Sequence, residues 1–263
     1  GRDVRDIRVV AGKEMREIVG AGGGRRGLVR ELLFVGIFGL FFPLSQAEVW
    51  RTGSVPAVFA LMIPLFLVGP HVADSFAGEK ERGTLETLLA TRLPDRSIYL
   101  GKIFAVVGDA WVVTLLILLA SLVALNLTGA GEPTSGLESW VTQDTGLFVY
   151  PGFVWAAWAA GSIASGLLLA SIGTFVSLRS KTVRAAHQAM MIPLFIIIFG
   201  GSFGIPLLFR MLSPETQKML LERIEDLSAV SVVLAAVALL LLLDVVLLSL
   251  GLRRFRRDRL ISD

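Results

Sequence analysis

The chain has 263 residues, 54% of them hydrophobic, and a mean hydropathy of +0.72. Soluble domains are usually about 45–50% apolar, so this composition excludes an ordinary soluble enzyme and indicates an integral membrane protein. The net charge of +3 does not indicate nucleic-acid binding, because the basic residues flank apolar runs, and without cysteine there is neither a disulfide nor a thiolate metal site.

The N-terminal residues predict an amphipathic helix. Steps of three and four residues place five apolar side chains on one stripe: Val4, Ile7, Ala11, Met15 and Ile18. Periodicity alone fits a soluble amphipathic helix equally well, but the apolar run that follows closely favours a helix lying in the membrane interface. We therefore expect residues 1–26 to form a cytoplasmic or interfacial helix that ends in a Gly-rich joint.

Six apolar runs follow, and together they predict a six-helix transmembrane domain over residues 27–252. Each run is near or above the roughly 20 residues needed to cross about 30 Å of hydrocarbon. A basic cytoplasmic tail is expected at 253–263. The runs are Leu32–Val49, Val55–Ala73, Ile103–Leu127, Pro151–Leu178, Ala185–Phe209 and Ala229–Leu252.

The distribution of positive charge predicts the orientation. With six spans, 21 Lys and Arg residues fall on the side of the two termini and 4 fall on the other side. Because positively charged loops stay in the cytoplasm, both termini and the 78–102 loop are expected there, and the 128–150 and 210–228 loops are expected outside. We expect a multi-pass protein of the cell membrane, which in bacteria is the inner membrane.

Two runs have internal features that predict packing or bending. Pro193, Pro206 and a glycine cluster predict a kinked or broken fifth helix. Small residues at intervals of four in the fourth run predict close approach of another helix, either within the chain or across a subunit boundary. They are Ser162, Gly166, Ala170 and Thr174.

The stretch 78–102 is strongly charged and lies between two apolar runs, so it must lie in water against a membrane surface. Thr84 suits a helix N-cap, and Pro94 prevents the helix from continuing. Leu85, Leu88 and Leu89 then share one face. This predicts a short cytoplasmic amphipathic helix, although an ordinary solvated loop is the simpler alternative.

This stretch resembles the cytoplasmic coupling loop of ABC-2 type transporter permeases. The residues that carry the resemblance are Glu79, Lys80, Glu81, Arg82, Gly83, Thr84, Leu85 and Glu86, followed by Gly101 and Lys102 at the start of the next span. The resemblance implies that an ATPase subunit contacts the coupling loop at Glu79, Lys80, Glu81, Arg82, Gly83, Thr84, Leu85, Glu86, Leu88 and Leu89.

The same resemblance implies the membrane-spanning subunit of an ATP-binding cassette exporter. Its partners would be a separate nucleotide-binding ATPase, a second permease subunit in a homodimer or heterodimer, and the lipid bilayer. The chain itself lacks the Gly-x-x-x-x-Gly-Lys-Ser/Thr pattern of an ATP site, because Lys102 is followed by Ile103. We therefore expect no catalytic residue and no cofactor in this chain, with ATP and magnesium bound by the partner.

Five ionisable residues inside the predicted spans need a reason, because each costs roughly 2.5–3.5 kcal/mol on insertion scales. We hypothesise that they line a polar inner vestibule; alternatively, each reaches the interface or satisfies a neighbouring side chain. No metal site is expected, because the chain has two histidines and no His-Glu-x-x-His motif. The five residues are His71, Asp74, Asp109, His187 and Asp244.

Two other functions fit the sequence. A permease-like subunit could transmit ATPase motion to an outside partner without moving a solute. An intramembrane enzyme could use Asp109 and Asp244 as a carboxylate pair that shares one proton.

Overall fold

The computed structural model describes residues 2–20, 24–51, 53–84, 91–128, 147–225 and 228–254. Helices make up nearly all of this part of the chain, which contains no β-strand. The helices are α1 (Arg2–Gly20), α2 (Gly24–Phe34), α3 (Phe42–Ser45), α4 (Ala47–Arg51), α5 (Ser54–Glu81), α6 (Asp95–Leu127), α7 (Gly152–Ala156), α8 (Ser162–Arg179), α9 (Val183–Phe199), α10 (Ile205–Met211), α11 (Pro214–Glu225) and α12 (Ala229–Arg254). Three π-helical segments, Val35–Phe41, Ala157–Gly161 and Gly200–Gly204, join α2 to α3, α7 to α8 and α9 to α10.

Four helical segments in the described part of the chain are long and apolar enough to cross a membrane. They correspond to the second, third, fourth and sixth predicted runs, so the chain is a multi-pass helical membrane protein. The first and fifth runs form helices interrupted by π-helical turns. The four segments are Ser54–Glu81, Asp95–Leu127, Gly152–Arg179 and Val230–Arg253.

The bundle of helices has two ends, which we call the junction end and the opposite end. At the junction end, α5 finishes at Glu81 and α6 starts at Asp95. At the opposite end, Arg51 donates a hydrogen bond to the Leu125 carbonyl over 3.3 Å. Gly53 also lies at this end, with a φ of 79°, and a Cβ there would come within 2.8 Å of the Phe153 ring. Glycine is therefore required where the chain enters α5.

The first apolar run connects these two ends. It leaves α1 at the junction end and reaches Arg51 at the opposite end through α2, a π-helical segment, α3 and α4. Along this path Gly39 lies against α6, where a Cβ would come within 2.8 Å of the Ala120 Cβ. The helical path bends at Gln46, whose φ of −131° and ψ of 42° are not helical.

The fifth run, Ala185–Phe209, has a similar irregularity. It falls on α9, which begins at Val183 at the junction end, on the π-helical segment Gly200–Gly204 and on α10, which ends at Met211. The irregular turn falls at the glycine cluster where the sequence predicts a kink or break. Beyond it, Ser213 caps α11 by accepting a hydrogen bond from the Thr216 N–H over 3.3 Å.

The core forms where α5, α6 and α8 pack together. All four small residues of the predicted ladder in α8 are buried. A Cβ at Gly166 would lie 3.6 Å from Val68 of α5 and 3.4 Å from Val107 of α6. The ladder therefore serves packing within the chain, because small side chains let these helices approach closely.

Helix α1 packs along the first turns of α6. Val10 is buried there beside Gly101, and a Cβ at Gly101 would lie 2.6 Å from the Val10 Cβ. Val4 is exposed, whereas Glu14 is buried, so the buried face is rotated from the predicted stripe. Helix α6 has 33 residues, which at 1.5 Å per residue is about 50 Å. This exceeds a hydrocarbon core of about 30 Å, so α6 is long enough to extend past the membrane beside α1.

Candidate functional site: a charged junction between helices

The predicted coupling loop begins inside α5. Glu79, Lys80 and Glu81 form the last helical turn, and Gly83 follows with a φ of 68°. Thr84 ends the helix, because both its N–H, at 2.9 Å, and its hydroxyl, at 3.4 Å, donate to the Glu79 carbonyl. Residues 85–90 lie outside the described residues, and with them the predicted helix and its contact residues Leu85, Glu86, Leu88 and Leu89.

Lys102 is the buried centre of this site. Its side chain is 1% exposed. Its ammonium donates to Glu14 over 2.8 Å and to Glu79 over 2.9 Å. A third hydrogen bond, at 3.1 Å, goes to the Ser75 carbonyl. Because its three donors all have acceptors, this lysine can remain charged although it is almost completely buried.

Glu14 belongs to α1, Glu79 to α5 and Lys102 to α6, so this group joins three helices. Glu79 was predicted to contact an ATPase, but here its side chain is 6% exposed and faces the bundle. Lys13 adds a second positive charge, with its ammonium 3.9 Å from Glu79 and 3.2 Å from Glu17. Partial burial lowers the pKa of Lys13, but the neighbouring carboxylates Glu14, Glu17 and Glu79 outweigh this effect and raise the pKa above its usual value. Lys13 therefore offsets part of the excess negative charge of Glu14 and Glu79 beside Lys102, and it ties α1 electrostatically to the end of α5.

The next two residues of α5 contact the turn between α8 and α9. The Lys80 ammonium donates a hydrogen bond to the Leu178 carbonyl in the last turn of α8. The Glu81 carboxylate accepts one from the Val183 N–H, at the start of α9, over 2.8 Å. Adjacent residues of α5 therefore bind the end of one helix and the beginning of the next.

Arg82 completes the series by folding back on α5. Its guanidinium lies 3.7 Å from the Asp74 carboxylate, and both side chains are about half exposed. A Cβ at Gly78 would lie 2.4 Å from Asp74 and 3.0 Å from Arg82, so glycine leaves the space that this ion pair needs. We call Glu79–Arg82 with their partner groups the charged junction.

One buried serine ties α8 to α5 next to the charged junction. The Ser177 hydroxyl donates to the Ala73 carbonyl over 3.0 Å and accepts from the Ala77 N–H over 3.0 Å. These two backbone groups are four residues apart and are the pair that would bond each other in an undisturbed helix. Ser177 therefore links the last turns of α5 and α8 directly.

Two of the five predicted vestibule residues come together. His71 Nδ1 lies 3.4 Å from the Asp109 carboxylate, and His71 Nε2 lies 2.6 Å from the Arg30 guanidinium. A guanidinium can only donate, so Nε2 must be the unprotonated nitrogen. We therefore assign a neutral His71 with its proton on Nδ1, facing Asp109.

The other three predicted vestibule residues make no hydrogen bond or ion pair with this pair among the described residues, although His187 lies close enough to His71 to interact with it electrostatically. Asp74 is bound to Arg82 in the charged junction, and His187 is exposed on α9. Asp244 is 2% exposed on α12, and its two carboxyl oxygens have no hydrogen-bond partner among the described residues. A shared water-filled vestibule stays a prediction.

Sequence reasoning missed Glu14, Arg30 and Ser177. Glu14 had a readable signal, because Ile7, Ala11 and Ile18 place it on the same apolar stripe at steps of four, three and four. A carboxylate on an apolar stripe predicts a buried cationic partner. Arg30 and Ser177 had no such signal, because their partners are about forty and one hundred residues away in the sequence.

The fold and site together define a helical multi-pass membrane protein with a charged segment held between two spans. A family model described as ABC-2 family transporter protein matches residues 51–251. This is well over half of the chain, so the protein belongs to the ABC-2 transporter family. The match includes Glu79–Arg82 and Lys102 but not α1 and its Lys13 and Glu14. A search among curated proteins found no match.

Membership in this family identifies a membrane transport component that is not itself catalytic. It also implies an ABC ATPase as partner in general terms.

Proposed function

We propose that this chain is the permease subunit of an ATP-driven exporter. Separate ATPase subunits would bind ATP and magnesium, and a second permease subunit, identical or related, would complete the transport unit. Both termini and the charged junction lie on the cytoplasmic side of the cell membrane. Closure of the ATPases on nucleotide pushes the segment after Glu81, tilts α5 and α6, and changes the side to which the pathway opens.

The observation that carries this proposal is the charged junction in a member of the ABC-2 family. Four consecutive residues, Glu79–Arg82, have partners on α1, on α6, on the α8–α9 turn and on α5 itself. A force applied just after Arg82 therefore acts on several helices through short polar contacts. Among the described residues of this stretch, 81–84 are exposed and available to an ATPase.

Six membrane crossings form part of this proposal. Two of the six, α2–α4 and α9–α10, are supported by their passage between the junction end and the opposite end. Helix α12 returns to the junction end, because a Cβ at Gly251 would contact Tyr99 near the start of α6. Both termini then share the junction end, in agreement with the distribution of positive charge.

The enzyme alternative is disfavoured by the geometry of its two carboxylates. A pair that shares a proton needs its oxygens within hydrogen-bond distance. Asp109 lies against His71, whereas both Asp244 oxygens lack any hydrogen-bond partner among the described residues. Transmission of ATPase motion without solute movement remains the competing function, because it would use the same junction.

Copurification tests the proposal. The tagged chain is expressed together with candidate ABC ATPases from its own genome, and a stoichiometric complex with ATPase activity is expected. Replacing Leu85, Leu88 and Leu89 by serine should abolish the complex. The matched control replaces Met219 and Leu221, two exposed apolar residues of α11, and should leave the complex intact. A full yield of complex from the triple-serine variant would contradict the proposed docking segment.

Liposomes then separate transport from transmission. The complex is reconstituted with a trapped cationic dye or a fluorescent phospholipid, and ATP-dependent movement of either probe supports an exporter. ATP hydrolysis with neither probe moving would favour transmission. Activity of the lone chain on a peptide or lipid would contradict both functions.

The vestibule has its own test. Cysteines placed at 109 and 244 should react with a water-soluble thiol reagent added from the cytoplasmic side, and complete protection at both positions would reject a wet vestibule.

A further inference from the structure

We propose that Glu81 is a positioning residue that makes α9 move with the coupling segment. Helix α9 then belongs to the moving part of the transporter together with α5 and α6. This inference rests on the proposed function, and it adds a route by which nucleotide-driven motion reaches the fifth span.

Two hydrogen bonds hold the start of α9. The Val183 N–H donates to the Glu81 carboxylate over 2.8 Å, and the Ala185 N–H donates to the Thr182 hydroxyl over 3.2 Å. A helix N-terminus exposes N–H groups and a partial positive charge, and a carboxylate satisfies both. One of the two capping oxygens therefore comes from α9's own N-cap, and the other comes from the end of α5.

Helix α9 also packs against the core, chiefly through its first half. Of its described residues, only Ala186 and Met190 are buried, and Met190 lies against Gly173 of α8. From Met191 onward Leu194 and Ile197 are partly buried against the core, but other large apolar side chains are exposed, among them Ile192 at 63% and Ile196 at 66%. The first half of α9 is therefore its better anchored part, and the Glu81 contact lies at that end.

An irregular, glycine-rich turn follows α9. The π-helical segment Gly200–Gly204 separates α9 from α10. A Cβ at any of its three glycines would meet no atom within 4 Å. A helix held at one end and followed by a glycine-rich π-turn can tilt as a unit without disrupting a packed core.

Lys80 and Ser177 hold the α8 side of the turn between α8 and α9. Lys80 binds the Leu178 carbonyl, and Ser177 binds α5 at Ala73 and Ala77. These contacts keep the end of α8 with α5, so the turn to α9 has a fixed base. Glu81 is the contact that acts on α9 itself.

The test measures α9 movement in the complex with its ATPase. The chain has no cysteine, so spin labels can be placed at Gln188 of α9 and Arg253 of α12, both exposed. Trapping with ATP and vanadate should change the label-to-label distance in the wild-type complex. Because Glu81 also belongs to the predicted ATPase contact, the distance is measured on purified complexes that retain the ATPase. In these complexes Glu81→Ala should abolish the change, and Glu81→Gln should keep it, because an amide oxygen still accepts from the Val183 N–H. Glu222→Ala, an exposed glutamate on α11, is the control and should behave like the wild type.

A cross-link provides the rescue. In the double variant Glu81→Cys and Val183→Cys, a short bifunctional thiol reagent replaces the hydrogen bond with a covalent link. We expect permease-stimulated ATPase activity to be reduced before cross-linking and to recover afterwards. The single-cysteine variants should show no recovery.

The outcomes are distinct. A complex in which Glu81→Ala keeps the wild-type distance change overturns the inference alone, and so does a wild-type α9 that does not move on trapping. Loss of activity on cross-linking would show that the contact must open during turnover, which also overturns it. A chain that recruits no ATPase overturns the proposed function, and this inference with it.

Discussion

At the scale of single residues, Lys102 shows how strongly this protein depends on charge balance. A buried ion pair adds little stability over an apolar replacement, but a buried charge that loses its partner is costly. Lys102 has two carboxylate partners, and its ammonium lies 5.3 Å from the Phe76 ring centroid. Lys102, Glu14 and Glu79 therefore stabilise the chain only when all three charges are present.

Lys102→Met should destabilise the chain by about 3–5 kcal/mol, because Glu14 and Glu79 would be left as adjacent buried carboxylates. Adding Glu14→Gln and Glu79→Gln should recover most of this loss by removing both charges. Thermal unfolding in detergent measures the difference. Lys218→Met, which removes an ion pair that is 80% and 64% exposed, is the control and should cost at most about 1 kcal/mol. Equal melting temperatures for the single and triple variants of the buried group would contradict this account.

Ser177→Ala should cost about 1–2 kcal/mol, because the hydroxyl makes two hydrogen bonds between helices. Ser165→Ala is the matched control. That serine is also buried on α8, but it donates only to the Ser162 carbonyl of its own helix, so its loss should cost about 0.5 kcal/mol or less. The two melting temperatures should differ by several degrees, and identical values would show that the link between α5 and α8 contributes nothing.

At the scale of helices, the contact between α1 and α6 depends on a residue without a side chain. Gly101→Ala should push α1 away, because the new Cβ would lie 2.6 Å from the rigid Val10 side chain and 3.2 Å from the Ile7 carbonyl. Overpacking of this kind costs about 1–3 kcal/mol. Limited trypsin digestion should then cleave faster at the exposed arginines of α1, Arg5, Arg8 and Arg16.

Gly108→Ala provides the comparison on the same helix. The nearest atom to its new Cβ would be the flexible Met15 Cε, at 3.4 Å. Alanine also favours helix by up to about 1 kcal/mol over glycine, so this variant should digest no faster than the wild type. Faster cleavage of both variants would mean that any alanine disturbs α1, and the close contact at Gly101 would not be the cause.

Hydropathy located the helices but not their irregularities. Runs of about 20 apolar residues predict spans because few alternatives satisfy so many backbone groups in lipid. The same runs do not specify the π-helical segment Val35–Phe41, nor the close approach of its Gly39 to α6. The buried face of α1 differs from the predicted apolar stripe for a similar reason. Glu14 is buried beside its partner Lys102, which lies 88 residues later in the chain.

The candidate site was predictable in position but not in its connections. A charged stretch between two spans is expected at a membrane surface, and in the structure it joins α5 to α6. That Glu79 faces inward and Glu81 reaches α9 follows from packing of distant helices, which no local pattern encodes. The apolar runs likewise place His71 within the second predicted span, but do not indicate that Arg30 and Asp109 lie on either side of it.

At the scale of the whole molecule, the contacts at the two ends determine how many times the chain crosses. Val183 lies at the junction end, bound to Glu81. Helix α12 runs toward that same end, because Gly251 approaches Tyr99 there and Val237 approaches Gly161 partway along. We therefore expect the chain between Val183 and the start of α12 to travel to the opposite end. The segment Val183–Met211, which is α9, the π-helical segment and α10, has 29 residues and is long enough for this passage.

Thiol labelling of intact cells tests this passage. The chain has no cysteine, so single cysteines report without background. If α9 and α10 cross the membrane, a cysteine at Ser213 should react with a membrane-impermeant maleimide from outside. Were only the four longest segments to cross, Ser213 would lie inside and stay unlabelled. Thr128 is the outside control and Lys181 the inside control, and all three residues are exposed on the chain. A protected Ser213 beside a labelled Thr128 would rule out six spans and would remove the reason for α9 to move with the coupling segment.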